Sequence, residues 1–400
     1  MCVADEYPWP ITSGYRIRLA GVLEALNGLG DVDLFCTVGD RPDLPEGDID
    51  PAHGLHRTYI HGRPTLTRSL AGFGRWVRSG WPRAVALRDW AAPAAALASF
   101  RRGPYDLAWY SHGDVWLALG ASGDEPTLVD LDNLESEILR AHAEAPADAQ
   151  SRFLDRARSL LRRPVDRVDA QRWARAEGRA AATSQGAIVC SSVDAARLGQ
   201  ARTAVIPNGY AEQAPPAAAE GPVITMAGLL VYKPNLDGAR WFVREVLPRI
   251  RRRVPGASVR LIGRFGERAQ PLGDVEGVAL IGEVDDIAAA LAGTAVIVAP
   301  LRSGSGTRIK ILEAFARRYP VATTTLGCEG LGAVPGTDLL IGDTPEELAT
   351  ACVRLLTDPA LAEDVAGAGW RIWDERYRWE VIQPRIQQLV LQAVDDASAD

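Results

Sequence analysis

The apolar run Ala295-Val296-Ile297-Val298-Ala299 leads through Pro300-Leu301-Arg302-Ser303-Gly304-Ser305-Gly306-Thr307 into Arg308-Ile309-Lys310-Ile311-Leu312-Glu313-Ala314-Phe315-Ala316. Five apolar residues without polar alternation fit a strand covered on both faces, the condition found inside a parallel sheet. The turn from Ser303 to Gly306 frees backbone N–H groups to face an anion at the N-terminus of the helix that follows. A strand, a glycine turn and a helix bearing two basic side chains together suit a pyrophosphate. Lysine usage sharpens the reading, because Lys233 and Lys310 are the only lysines among 44 basic residues. An ammonium is a compact point charge and a guanidinium a wide planar fork, so a lysine kept in an arginine-biased chain marks a position arginine does not fill.

The same alternation of strand-like and helix-like segments continues through most of the chain, which predicts parallel sheets covered by helices. In the first half the expected strands are Val32–Val38, Asp106–Ser111, Thr127–Leu131, Ala187–Ser191 and Ala204–Ile206, with a short strand in Met1–Ala4. The first long helix runs from Gly14 to Leu29 and is stopped by Gly28 and Gly30. Residues 207–222, rich in Pro, Gly and Ala, read as an interdomain linker. A second α/β series follows: Val223–Ala227, a helix from Asn235 to about Arg252, Ser258–Ile262, Val278–Ile281, and the strand–turn–helix unit described above. The expected organisation is two facing doubly wound domains, 1–207 and 208–370, with 371–400 a helix returning to the first. Ligands in such sheets bind beyond the carboxyl ends of the strands, so a crevice between the domains is the expected site.

Four hundred residues exceed what one core holds, in keeping with two domains. A net charge of −7 argues against nucleic-acid binding as the global design, although Arg152, Arg156, Arg158, Arg162, Arg163 and Arg167 form a local basic segment, read as a solvated helix face or a surface for an anionic acceptor or membrane headgroups. Five cysteines without metal-ligand spacing read as reduced, buried residues of a cytoplasmic protein. No apolar run is long enough to span a bilayer, leaving peripheral contact as the form any membrane association takes.

Several motifs in order, Ser-Gly-Tyr-Arg-Ile-Arg at 13–18, Ile-Pro-Asn-Gly at 206–209, Lys-Pro-Asn at 233–235, Gly-Glu-Val-Asp-Asp at 282–286 and Gly-Ser-Gly-Thr-Arg-Ile-Lys-Ile-Leu-Glu-Ala at 304–314, resemble those of a family-4 glycosyltransferase of the GT-B fold. The resemblance implies transfer of a sugar from a nucleotide-diphosphate donor to a hydroxyl of an acceptor, with retention at the anomeric carbon. It implies no cofactor and no metal requirement, the nucleotide sugar being a co-substrate. The acceptor class stays open among a secondary metabolite, a polysaccharide or glycan and a lipid-linked sugar. Two alternatives stay open beside it: a catalytically silent homologue that binds or scaffolds, and a nucleotide-sugar epimerase.

The resemblance assigns Glu313 to the ribose, Gly304, Ser305, Gly306 and Thr307 with Lys310 and Arg308 to the diphosphate, Lys233 to the donor phosphates, and Val284 to the base through its backbone. Many relatives carry a second glutamate where this chain has Ser305, which leaves the hexose contacts open. Gly14 matches a family glycine pair, with Tyr15 in the second place, where it closes over the donor or narrows the acceptor pocket. A helix cap from Ser13 accounts for part of the same pattern.

Asp132 is the reacting-centre candidate, because it ends an apolar strand and an anionic side chain there stabilises an oxocarbenium-like carbon or orients the acceptor hydroxyl. Asp130 and Asp132 stand two apart on a strand, so they share a face and chelation is a minor alternative. His112, at another strand end, reads as a general base toward the acceptor or as an acceptor-binding group. His53, His56 and His61 are assigned to an acceptor-side loop, with Trp76, Trp81 and Trp90 supplying apolar surface or core.

Overall fold

The structure, a computed structural model, describes residues 1–39, 43–67, 69–120, 125–144, 153–303 and 308–399. The chain divides into two compact units, one of residues 1–208 with 382–400, the other of residues 209–381.

The first unit is built on a sheet of β1 (Cys2–Ala4), β2 (Asp33–Val38), β3 (Gly47–Ile49), β4 (Arg57–Gly62), β5 (Ala108–Ser111), β6 (Thr127–Asp132), β7 (Gly186–Val189) and β8 (Thr203–Val205). Their order is β3-β4-β2-β1-β5-β6-β7-β8, parallel throughout except for the antiparallel β3–β4 pair. The chain winds outward in opposite directions on the two sides of β1 and β5, so the topological switch lies between them. β1 and β5, three and four residues long, are buried at every position, consistent with central strands covered on both faces. β3 and β4 were not expected. His56 and His61 suggested a loop, but Thr58 and Ile60 alternate inward while His61 lies within β4.

The second unit carries β9 (Val223–Ala227), β10 (Ser258–Ile262), β11 (Val278–Gly282), β12 (Val296–Ala299), β13 (Val321–Thr323) and β14 (Leu340–Ile341) in the order β11-β10-β9-β12-β13-β14, all parallel. Its switch point lies between β9 and β12. The helix expected from Asn235 starts at Lys233 and reaches Arg253, interrupted by a π-helical turn at Phe242–Val246. Pro248 follows that turn and has no N–H to donate, which fits a ladder that widens before it. Ile224, Phe242, Val246, Ile250 and Val296 are each fully buried at the centre of this core.

Residues 206–220 form no regular element. The returning segment begins at Ile382 rather than at 371. The helix Pro359–Arg376 stays with the second unit because Trp373 is wholly buried there and its indole N–H donates to the Tyr210 carbonyl at 3.0 Å. Within the first unit Arg385 and Gln387 donate to the carbonyls of Val205 and Ala25 at 2.8 and 3.0 Å. Cys2, Cys36, Cys190 and Cys352 are buried and Cys328 is half-buried, none of them in a disulfide.

Candidate functional site

Each unit brings a polar cluster to the carboxyl ends of its central strands. In the second unit, Gly228 and Gly263 follow β9 and β10 with φ of 143° and 128°. A Cβ on Gly263 would lie 2.3 Å from the Gly228 carbonyl oxygen, so this close approach of two backbones requires glycine. Lys310, in the second position of the helix Ile309–Ala316, reaches this point. Its ammonium donates to Asn235 Oδ1, and a Cβ on Gly228 would stand 3.5 Å from its Nζ. The Asn235 amide is fixed in turn by donation to the Leu229 carbonyl at 2.9 Å. Burial, and then the cation of Arg308, push the Lys310 amine down to about 7. Arg308 is 6% exposed, caps the helix and donates to the Leu326 carbonyl at 3.3 Å. An amine and a guanidinium are thus brought together at a switch point, an arrangement that suits an anion.

One turn further along, Glu313 Oε1 accepts from the Tyr210 hydroxyl at 2.7 Å and from Arg317 Nε at 3.2 Å. The carboxylate is oriented by both groups. Lys233 is exposed at the start of the helix Lys233–Trp241, and it is Asn235, two residues on, that turns inward to Lys310. Val284 is half-buried between β11 and the short helix capped by Asp286, whose side chain accepts from the Ala289 N–H at 3.1 Å. Gly304, Ser305, Gly306 and Thr307 lie outside the described residues, as does Arg152.

In the first unit, Asp5 follows β1, His112 follows β5 and Asp132 ends β6, so three neighbouring strands converge at the switch point. His112 Nδ1 is 3.0 Å from Asp5 Oδ1, and its Nε2 is 3.8 Å from Asp132 Oδ2. The ring of Tyr15 stacks on it, centroids 4.0 Å apart, and the Tyr15 hydroxyl donates to Ser111 Oγ at 3.2 Å. Gly14 opens the helix Gly14–Asn27 behind Ser13, whose side chain accepts from the Arg16 N–H. Burial opposes the His112 cation, but Asp5 and Asp132 outweigh it and hold its pKa well above the ordinary imidazole value. Burial would likewise raise Asp132, yet His112 and Arg18 bring it down to about 2. The two carboxylates thus favour the imidazolium form of His112, which donates through both ring nitrogens.

Asp130 and Asp132 do not act as a chelating pair. The register shifts between them, Asp132 adopts φ of 52°, and Arg18 takes Asp130 in a bidentate pair at 2.7 and 2.8 Å. Arg18 also donates to the Ile206 carbonyl and to Asn208 Oδ1, both at 3.0 Å, and is 1% exposed. The Arg of Ser-Gly-Tyr-Arg-Ile-Arg and the Asn of Ile-Pro-Asn-Gly thus meet as structural partners behind the cluster. Among the described residues, Asp5, His112 and Asp114 have ligand atoms close enough for a metal, but Arg63 already bridges Asp5 and Asp114. His56 pairs with Asp33 at 2.8 Å, and His53 stacks on Trp9 with centroids 3.9 Å apart. Trp76 and Trp90 are core residues, while Trp81 is 38% exposed.

Asp5, Arg18, Arg63, Tyr210, Asn235 and Arg317 escaped the sequence reading as site residues. Arg18, Asn208 and Asn235 stood inside quoted motifs, so a signal was present. Asp5 and Tyr210 carried none, because their partners lie 107 and 103 positions away.

Two doubly wound α/β units, each with charged groups gathered at its switch point, define the GT-B class. Residues 221–358, about a third of the chain and within the second unit, match the family described as Glycosyl transferases group 1. Sucrose-phosphate synthase from Thermosynechococcus elongatus is similar in fold, with 20% identity and a TM-score of 0.70 over 99% of each chain. HepE from Anabaena, solved with UDP and glucose, has 14% identity and a TM-score of 0.62 over 98% of each chain. A 44.6 kDa uncharacterized protein in the cps region of Klebsiella pneumoniae is 25% identical over 129 residues, 30% of this chain; the match spans 33% of that relative's length.

Proposed function

We propose that the protein is a retaining glycosyltransferase that moves a sugar from a nucleotide-diphosphate donor to a hydroxyl acceptor without a metal ion. The observation that carries this reading is the pairing of half-buried Lys310 with buried Arg308 at the second unit's switch point, on the same helix as the oriented carboxylate of Glu313. A nucleoside diphosphate needs both chemistries at that spacing: cations for the phosphates and a carboxylate for the ribose hydroxyls. HepE, with the same fold, binds UDP, which supports a uridine donor as the first to try.

In the reaction the acceptor oxygen bonds to the anomeric carbon on the face from which the diphosphate leaves, and the carbon–oxygen bond to the diphosphate breaks. The electron pair passes to the departing phosphate oxygen, which takes the acceptor proton. Lys310, Arg308 and Lys233 neutralise the charge that develops on it. The first unit's cluster offers a hydrogen-bond donor, His112, and the carboxylate of Asp132 to sugar or acceptor hydroxyls. Tyr15 shields the imidazolium ring with its face.

A thermal-shift panel of UDP, dTDP, GDP, ADP and CDP against the parent and Lys310→Ala tests the donor site, since a ligand that binds only the native state raises its melting temperature. One nucleotide stabilising the parent alone is the expected result. No shift with any of them overturns the reading. Proton NMR of the product formed from that donor then reports the anomeric configuration.

A further inference from the structure

The segment 63–103 carries eight arginines against a single acidic residue, Asp89, in a chain whose net charge is −7. Most of its inward-facing arginines are spent: Arg63 on Asp5 and Asp114, Arg83 on Asp166 and Asp169, Arg101 on Glu125. Arg75 and Arg78 of the helix Leu70–Ser79 are exposed, and among the described residues neither has an ion-pair partner. The same helix turns large apolar side chains outward. Phe73 is 54% exposed and Val77, four residues on, 52%; Trp81 at the helix exit is 38% and Leu66 before its start 41%.

The helix is pinned so that this face stays outward. Trp76, on its other side, is buried, donates to Asp169 at 3.3 Å and lies under the Arg172 guanidinium at 4.4 Å. Arg172 also donates to the terminal carbonyls of Trp76 and Val77 and to that of Trp81. The neighbouring helix, Phe153–Thr183, adds exposed Arg162, Arg167 and Val168, while its nearby acids Asp166 and Asp169 are held by Arg83. Beneath Phe73 an open pocket of about 440 Å³ is lined by Trp76, Leu87, Val165 and Arg83.

We propose that this face, Leu66, Phe73, Val77 and Trp81 with Arg75 and Arg78, docks the protein on an anionic lipid bilayer. Aromatic and aliphatic side chains flanked by unpaired arginines match the two demands of an interfacial helix, apolar burial below the headgroups and cations level with the phosphates. Charge complementarity decides between occupants. A second copy of this face brings like charge to like charge, and the chain's acidic remainder is repelled by an anionic bilayer, which orients the basic face toward it. The inference is independent of the proposed sugar transfer.

Sedimentation with vesicles of phosphatidylcholine alone and of phosphatidylcholine with phosphatidylglycerol tests it on the full chain. The expected result is binding to the anionic vesicles only, weakening as salt is raised. Arg75→Gln with Arg78→Gln should lower the partition about 30-fold, from roughly fivefold for each basic residue at the surface. Phe73→Ser with Val77→Ser should abolish it with only a small fall in melting temperature, because about half of each side chain is already in water. Equal binding to the two vesicles, no binding to either, or undiminished binding of both double variants overturns the proposal. So does a dimer in light scattering that Phe73→Ser disperses, since that assigns the face to a second copy.

Discussion

Nucleoside diphosphate binding should take up a proton at Lys310. Burial and Arg308 bring the free amine to about 7, against 10.5 for an ordinary lysine. A diphosphate beside it favours the ammonium and returns the pKa toward its ordinary value, so only the charged fraction of the free protein is ready to bind. That fraction is about one half at pH 7 and about one hundredth at pH 9, and affinity should therefore fall about 50-fold between them. Calorimetry in buffers of different ionisation enthalpy reads the uptake directly: close to one proton at pH 9 and close to none at pH 6. Lys310→Met should bind weakly and without this slope. The linkage also acts on the free protein. The native pKa is the lower one, so the unfolded state holds more protons between about 7 and 10.5, and the stability of the parent relative to Lys310→Met should rise with pH across that window. A parent that binds with pH-independent affinity and no proton uptake refutes the account of Lys310 as a desolvated diphosphate ligand.

Glu313→Ala should weaken nucleoside diphosphate binding more than it alters folding, and Tyr210→Phe should cost about fivefold in affinity, the value of one hydrogen bond that orients the carboxylate; unchanged affinity in calorimetry for Glu313→Ala removes the ribose assignment. Arg18→Met leaves Asp130 buried without its partner and should destabilise the first unit by about 3–5 kcal/mol, read as a large fall in denaturation midpoint, whereas a change within error means the pair is not the internal tie described. Turnover should persist in EDTA, and loss that Mg²⁺ or Mn²⁺ restores would move the mechanism to a metal held by Asp5, His112 and Asp114. Asp132→Ala should abolish turnover while leaving nucleotide binding intact, and a parent that binds nucleotide without any turnover is a silent homologue.

Strand segments in the interior of each sheet were legible because a strand buried on both faces is a short apolar run bounded by turn residues. Val296–Ala299 and Thr127–Asp132 fall within a residue or so of their expected limits. β3 and β4 escaped because an edge pair buries only alternate side chains and tolerates histidine and aspartate on the rest. The helix breaks at 242–246 and 377–378 were invisible for a different reason: their apolar periodicity runs on while the hydrogen-bond ladder changes beneath it.

The residue types at the two clusters belong to the sequence: glycines before Lys310 and Glu313, and an aspartate and a histidine at the ends of apolar strands. Local pattern suffices there, because a strand end and a helix start are set by their own few residues. The state of those groups was decided only in three dimensions. The cationic form of His112 is favoured because Asp5, which follows a strand more than a hundred residues away, arrives at its Nδ1. Asp130 is a structural residue because Arg18, from a helix more than a hundred residues earlier, meets it in a bidentate pair. Lys310 titrates near neutrality because the surrounding protein takes water from it and the Arg308 cation repels its charge. Charge energies depend on distance and on the solvent displaced, and both are properties of packing between elements remote in the chain.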